Sequence, residues 1–212
     1  MDTAAAERVA FDPSDHGERF GALLNSVVVP RPIAWISTRS RDGIDNLAPH
    51  SYFTVASVDP PIVQFTSLGP KDTLRNVRDT GEFVVNVATR SLADAVNATA
   101  TDFPPAIGEF DAVGIEREAS ARVTPPRVAA SPIAIECRAA GEVAFPASTV
   151  VFGEIVHVAV HAAVLRHGLV VPELLDPVGR LGRADWAALD EVFSLRRIPY
   201  AEVAGRDHRR RR

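Results

Sequence analysis

The sequence predicts a mainly β chain with an antiparallel sheet and a few short capping helices. Three observations carry this. β-branched and apolar runs at 33–38, 47–55, 62–67, 82–88, 131–143 and 149–164 are bounded by Gly, Pro and Asp turns. The order is not an alternating βαβ pattern, and no Gly-x-Gly-x-x-Gly follows a strand. Hydrophobic residues make up 46% of 212, ample for the core of one domain. A closed or partly closed barrel with helical caps meets all three. The expected domain spans the chain, with a core at about 17–200 and loose ends at 1–16 and 204–212.

The elements follow in order. Asp12-Pro13-Ser14-Asp15 are turn formers, and Phe20, Leu23 and Leu24 then fall at helical spacing. Val27-Val28-Val29 reads as a β-branched run broken by Pro30 and Pro32, which cannot donate to a ladder. Arg31 between these prolines sits on a stiff extended segment. Residues 33–38 form a strand, Arg41-Asp42-Gly43 a hairpin turn, and 47–55 the return strand, with Pro49 marking a bulge or an edge. Asp59-Pro60-Pro61 turns the chain into the strand 62–67. Three such strands in succession read as a meander.

Gly69-Pro70 ends that strand, and 71–80 is a helix. Asp72 or Thr73 is placed to cap it, Leu74 and Val77 face inward, and Gly81 suits the residue after its end. A strand at 82–88 and a helix at 91–99, capped by Ser91, come next. Residues 102–114 are Pro/Gly-rich, an irregular loop with one helical turn; it serves either as a lid or substrate wall or as a tolerated insertion. In the long strand after Thr149, Gly153 marks a bulge or a close backbone approach. Leu169-Val170-Val171 is extended, Arg180 to Trp186 leads into a helical turn, and 193–198 is extended again.

Charge and cysteine content exclude several classes. Net charge is −4, and the tail Arg206-Asp207-His208-Arg209-Arg210-Arg211-Arg212 contributes +4, which leaves −8 on the body. An acidic body argues against nucleic-acid binding, and the tail reads as a solvated end. One cysteine, Cys137, allows no intrachain disulfide. No signal peptide and no membrane-length apolar run is seen. The expectation is a soluble cytoplasmic protein.

Lys71 is the only lysine among 23 basic side chains, so a compact ammonium stands where the chain otherwise uses arginine. It opens a helix, where unpaired N–H groups attract phosphate. Ser37 and Thr38, with Thr66 and Ser67, close two strands nearby; such residues are also ordinary turn formers. A strand-built pocket for a phosphate-bearing planar ligand would look like this. His161 and His167 lack the partners of a zinc site, and no Ser–His–Asp pattern appears.

The stretch Pro30-Arg31-Pro32-Ile33-Ala34-Trp35-Ile36-Ser37-Thr38, then Asn46-Leu47-Ala48-Pro49-His50-Ser51-Tyr52-Phe53, then Lys71-Asp72-Thr73-Leu74-Arg75-Asn76, resembles the flavin reductase-like family, whose members bind FMN in a split β-barrel. The resemblance covers roughly Gly17 to Tyr200. It implies phosphate and ring contacts at Ser37, Thr66 and Ser67, a phosphate seat at Lys71 and Thr73, and a ring clamp from Asn46 through Ala48 and His50 to Ser51. Family members usually carry an aromatic where His50 stands. Asp72 has the wrong sign for a phosphate and is expected to cap the helix or orient Lys71. Asn76 reaches the site or is a satisfied amide, and Arg31 contacts the ligand or braces the wall. His157, in Gly153-Glu154-Ile155-Val156-His157, resembles a family histidine, although a lone histidine on an apolar strand is more often a core or edge residue. Arg180-Leu181-Gly182-Arg183-Ala184-Asp185-Trp186 resembles the family's Arg-Leu-Gly-Gly-x-x-Tyr, with Arg183 for the second glycine and Trp186 for the tyrosine. The implied function is an FMN-dependent oxidoreductase that takes hydride from NADH or NADPH and passes electrons to free flavin or another acceptor, as a homodimer with a monooxygenase among its partners. The alternative is a split-barrel module that binds FMN without turnover.

Overall fold

The computed structural model describes residues 7–204. Residues 1–6 and 205–212, the latter with the Arg-rich tail, lie outside them. After a helical turn at Pro13–His16 comes helix α1 (Glu18–Val27), then β1 (Arg31–Pro32), β2 (Ala34–Arg39), β3 (Asp45–His50), β4 (Phe53–Val58) and β5 (Pro61–Leu68). Helix α2 (Asp72–Thr80) leads to β6 (Glu82–Val87), α3 (Ala93–Ala98) and α4 (Glu109–Val113). The chain continues through β7 (Ile133–Phe145) and β8 (Ser148–Val160) to β9 (Val178–Arg180) and β10 (Trp186–Ala188).

Seven strands make one antiparallel sheet in the order β3-β2-β6-β7-β8-β5-β4, and β1, β9 and β10 make a smaller one. β3 and β4 occupy opposite edges, yet only Ser51 and Tyr52 separate them. The step from His50 to Phe53 spans at most about 11 Å, so the sheet must curl until its edges approach. Among the described residues β3 pairs in a ladder only with β2. The barrel is therefore split along β3.

This topology corrects three expectations. Residues 47–55 are not one strand: the chain leaves one edge at His50 and enters the other at Phe53. The three early strands are consequently no meander. Val27-Val28-Val29 is not a strand either. The helix continues through Val27, Val28 donates to the Leu24 carbonyl (3.2 Å), and all three valines are exposed.

Smaller corrections concern caps and the late turn. α2 begins after Lys71 with no side-chain cap, because Thr73 Oγ1 donates to Asn46 (3.0 Å) and Asp72 pairs with Arg75 (2.7 Å). Ser91 lies in a 3-10 turn ahead of α3, its hydroxyl 3.0 Å from that of Thr89, and caps nothing. Trp186 starts a strand that pairs with Arg180 rather than a helical turn. Pro49 does lie on an edge strand, and Gly81 ends α2 with φ 74°.

β2 is buried on both faces, and alternation divides its neighbours. Ala34 and Ile36 join Val63, Phe65, Phe83, Val85, Cys137 and Val151 in the barrel core, to which α2 adds Leu74 and Val77. Trp35 faces Leu47, Val96 and Phe110, and its indole N–H donates to Thr99 Oγ1 (2.8 Å). Gly153 sits at a register shift between β7 and β8, and a Cβ there would overlap the Phe83 ring. Burial of Leu74 and Val77 fixes α2 against the barrel, which sets Lys71 beside the split.

Candidate functional site

A cavity of about 570 Å³ opens along the split, within the usual range for small-molecule sites. Its strand wall is Asn46, Ala48, Pro49, His50, Ser51 and Tyr52 of the β3–β4 crossing, with Thr66 of β5. Lys71, Asp72 and Thr73 at the start of α2 form a second wall, residues 99–103 with Pro105 and Glu109 a third, and Arg180, Leu181 and Arg183 with Ala22 and Asn25 a fourth.

Of the expected site residues, Asn46, Ala48, His50, Ser51, Thr66, Lys71, Asp72 and Thr73 come together around this cavity. Ser37, Ser67, Asn76 and His157 do not line it. Strand alternation explains the first two. Thr38 points toward Asn46, so Ser37 points away, where its hydroxyl donates to the Pro126 carbonyl (2.5 Å). Thr66 lines the cavity, so Ser67 is turned inward and donates to the Gly69 carbonyl (3.1 Å). Asn76 is buried behind the wall. His157 lies on β8 opposite Glu136, partly buried.

A polar chain stiffens the wall. Asn76 Nδ2 donates to Thr38 Oγ1 (3.1 Å), and Thr38 and Thr73 both donate to Asn46 Oδ1 (3.1 and 3.0 Å). Asn46 Nδ2 then donates to Glu109 Oε2 (2.8 Å), which also accepts the Leu47 N–H (2.8 Å). Glu109 is 6% exposed. A buried carboxylate with two N–H donors locks the Asn46 amide in one orientation.

His50 Nδ1 is 3.3 Å from the Thr66 carbonyl. A carbonyl only accepts, so Nδ1 carries the hydrogen and Nε2 bears a lone pair. Nε2 is buried and has no protein partner. Burial pushes the His50 pKa down to about 4, against a smaller opposing effect of the Thr66 carbonyl, and the ring is neutral at pH 7. The ring rests on Phe65, with centroids 4.9 Å apart.

At the start of α2 no side chain caps the first turn, whose N–H groups have no partner within a helix. The Lys71 ammonium beside it donates to Asp102 (2.6 Å). That hydrogen bond and the lysine's charge hold the Asp102 carboxyl below its ordinary range. Asp72 neither caps the helix nor orients Lys71; it pairs with Arg75.

Arg31 braces the wall. Its guanidinium donates to the carbonyls of Asn25 (2.5 Å), Val28 (2.9 Å) and Leu181 (2.9 Å) and reaches Ser51 Oγ (3.4 Å), over the Tyr52 ring. Tyr52 in turn donates to Asn25 Oδ1 (2.6 Å). The third wall was only partly legible: the loop 102–114 carried a Pro/Gly signal, but nothing local marks Glu109 or Asp102. Their partners lie 62 or 63 and 31 residues away.

The fold has close counterparts among solved structures. Nitrilotriacetate monooxygenase component B from Bacillus cereus is 28% identical and superposes with a TM-score of 0.86 over 89% of this chain and 99% of its own. The 2-nitrobenzoate 2-nitroreductase NbaA of Pseudomonas fluorescens is 30% identical, with a TM-score of 0.84 over 90% and 96% of the two chains. A flavin reductase with a split barrel domain from Shewanella frigidimarina NCIMB 400, at 22% identity, shares the fold with a TM-score of 0.81 over 90% of this chain and all of its own. The flavin reductase like domain matches residues 26–174, from the end of α1 through the whole barrel. The chain belongs to the flavin reductase-like family, a family of split-barrel, flavin-linked oxidoreductases.

Proposed function

We propose that this protein is an FMN-dependent oxidoreductase that uses NADH or NADPH to reduce flavin. The observation that carries the reading is one cavity that joins the uncapped start of α2 and Lys71 to the β3–β4 crossing. The residues present fit a phosphate-bearing flavin. The first-turn N–H groups and Lys71 form a seat for a phosphate, beside Thr73, whose hydroxyl is held by Asn46. Asn46 to Ser51 lies on the unladdered edge of the split, where the Leu47 N–H is taken by Glu109 and Pro49 has none, so carbonyls and the Ser51 hydroxyl are the groups that meet a ring edge. The neutral His50 adds an apolar face toward Phe65.

Bound flavin supplies the electron transfer between a nicotinamide donor and an acceptor. The chain holds and orients it. Glu109 fixes Asn46, and Arg31 fixes the α1 end and the β9–β10 turn, so the walls are set before ligand enters. No side chain is assigned as acid or base.

A homodimer is part of this reading. Val27, Val28, Val55, Val58, Leu68 and Phe145 are large apolar side chains more than half exposed, apolar surface that a second copy would cover. The similarity to a monooxygenase component B supports a monooxygenase as the consumer of reduced flavin.

The test is anaerobic reduction of FMN by the purified protein with NADH and with NADPH. Bleaching of the flavin absorbance with either donor, catalytic in protein, is expected. Flavin binding without reduction by either would leave a binding module instead.

A further inference from the structure

The fourth wall of the cavity carries charge that the flavin seat does not use. Arg180 closes β9, and Arg183 stands in the tight turn that leads to β10. Leu181 N–H donates to the Asp185 carbonyl (3.0 Å), and Asp185 N–H donates to the Gly182 carbonyl (3.1 Å). Two contacts pin this turn to the cavity. Arg31 donates to the Leu181 carbonyl, and a Cβ on Gly182 would lie 3.1 Å from Ser26 of α1. The turn is therefore a fixed platform.

Both arginines line the cavity. Among the described residues neither has a carboxylate partner. Arg180 makes only a long bond to the Asp185 carbonyl (3.4 Å) and lies over the Trp186 ring, 5.3 Å from its centroid. The cavity's acids are spoken for elsewhere: Asp72 by Arg75, Asp102 by Lys71, and Glu109 by Asn46 and Leu47. Two uncompensated cations thus face one space.

Arg183 also sits at φ 55°, a left-handed conformation that glycine adopts freely and a residue with a Cβ rarely does. The residue that suits the turn is glycine, and the side chain present adds only a charged fork.

We propose that Arg180 and Arg183 form an anion seat, separate from the flavin phosphate seat, that takes the ribose 2′-phosphate of the nicotinamide donor and makes the protein prefer NADPH to NADH. A phosphate monoester carries nearly two charges and three acceptor oxygens, which match two guanidinium forks; a carboxylate carries one charge and matches one. The proposal rests on the flavin reductase reading, since it names the donor for that same cavity.

The test compares kcat/KM for NADPH and NADH in the FMN-loaded wild-type protein and in Arg183→Gly and Arg183→Lys, with FMN affinity measured separately. Wild type is expected to favour NADPH. Arg183→Gly is expected to lower the NADPH-to-NADH ratio about tenfold, the loss of one charge-assisted contact. It also relieves the left-handed turn, so its thermal midpoint holds or rises. Arg183→Lys falls between the two, because charge remains and the fork is lost. Inhibition by 2′,5′-ADP but not by 5′-AMP, weakened in Arg183→Gly, is the direct binding readout. A ratio near one in wild type, or one unmoved by Arg183→Gly, overturns the seat while leaving FMN reduction standing. Competition by benzoate in place of 2′,5′-ADP also overturns it, because the seat would then belong to an acidic acceptor. Absence of FMN binding or reduction in wild type would instead defeat the underlying reading.

Discussion

The only lysine of the chain, Lys71, donates its ammonium to Asp102 across 2.6 Å, from the start of α2 to the loop on the other side of the cavity. Asp102 is a carboxylate where the flavin reading requires a phosphate. The two anions compete for one ammonium. Asp102→Asn removes the competitor, keeps the side chain's size and leaves Lys71 free. It is expected to tighten FMN binding severalfold and to leave riboflavin, which has no phosphate, unaffected. Titration of both flavins by fluorescence quenching checks this.

Glu109 is expected to matter more than any exposed charge. Glu109→Ala leaves the Asn46 amide and the Leu47 N–H without their acceptor inside the wall. Two buried donors without partners cost about 2–4 kcal/mol together. The variant should unfold at a lower urea midpoint and bind FMN more weakly. Glu109→Gln, which keeps an acceptor oxygen, should recover part of both losses.

His50 predicts an acid-labile fold. Its pKa is near 4 in the folded protein and 6.5 when unfolded. Between those values the unfolded chain binds more protons, so stability rises with pH across this window and falls on acidification. The contribution is present above 6.5 and lost as pH drops toward 4, by up to about 3 kcal/mol. Urea midpoints at pH 7 and pH 5 measure it. His50→Phe, which keeps an aromatic ring against Phe65 and removes the titrating group, should flatten this part of the profile.

Gly153→Ala tests the barrel itself. The added Cβ would overlap the Phe83 ring, which is fully buried and edge-on to Phe65. Overpacking of this kind costs about 1–3 kcal/mol. Chemical denaturation should show that loss at any pH.

Much of the architecture was legible in the sequence because it is local. Turn residues bounded the strands, and Gly81 and Gly153 announced a helix end and a bulge. What was not legible depends on which edge or face a residue takes. Nothing between Leu47 and Val55 says that the chain crosses from one edge of the sheet to the other at Ser51. That crossing, not the strands alone, makes the split and hence the cavity. Ser67 is a polar strand-end residue like Thr66; only the two-residue period, read in the right register, separates inward from cavity-facing. Asp102, Glu109 and the β9–β10 platform reach the site through contacts of 31 to 150 residues in separation, for which a single sequence carries no signal.

FMN titration of Lys71→Ala beside Arg75→Ala decides whether α2 and Lys71 seat a phosphate. Both variants remove one positive charge from the same short segment. Lys71 stands before the helix, beside N–H groups that no side chain caps, whereas Arg75 lies a turn later and is paired with Asp72 on the surface. FMN affinity should fall about ten- to a hundredfold in Lys71→Ala, the value of a charge-assisted hydrogen bond. In Arg75→Ala it should change by less than about threefold. Wild type should also bind FMN well ahead of riboflavin. Equal dissociation constants for the two variants within twofold, or equal affinity of wild type for FMN and riboflavin, would contradict the phosphate seat.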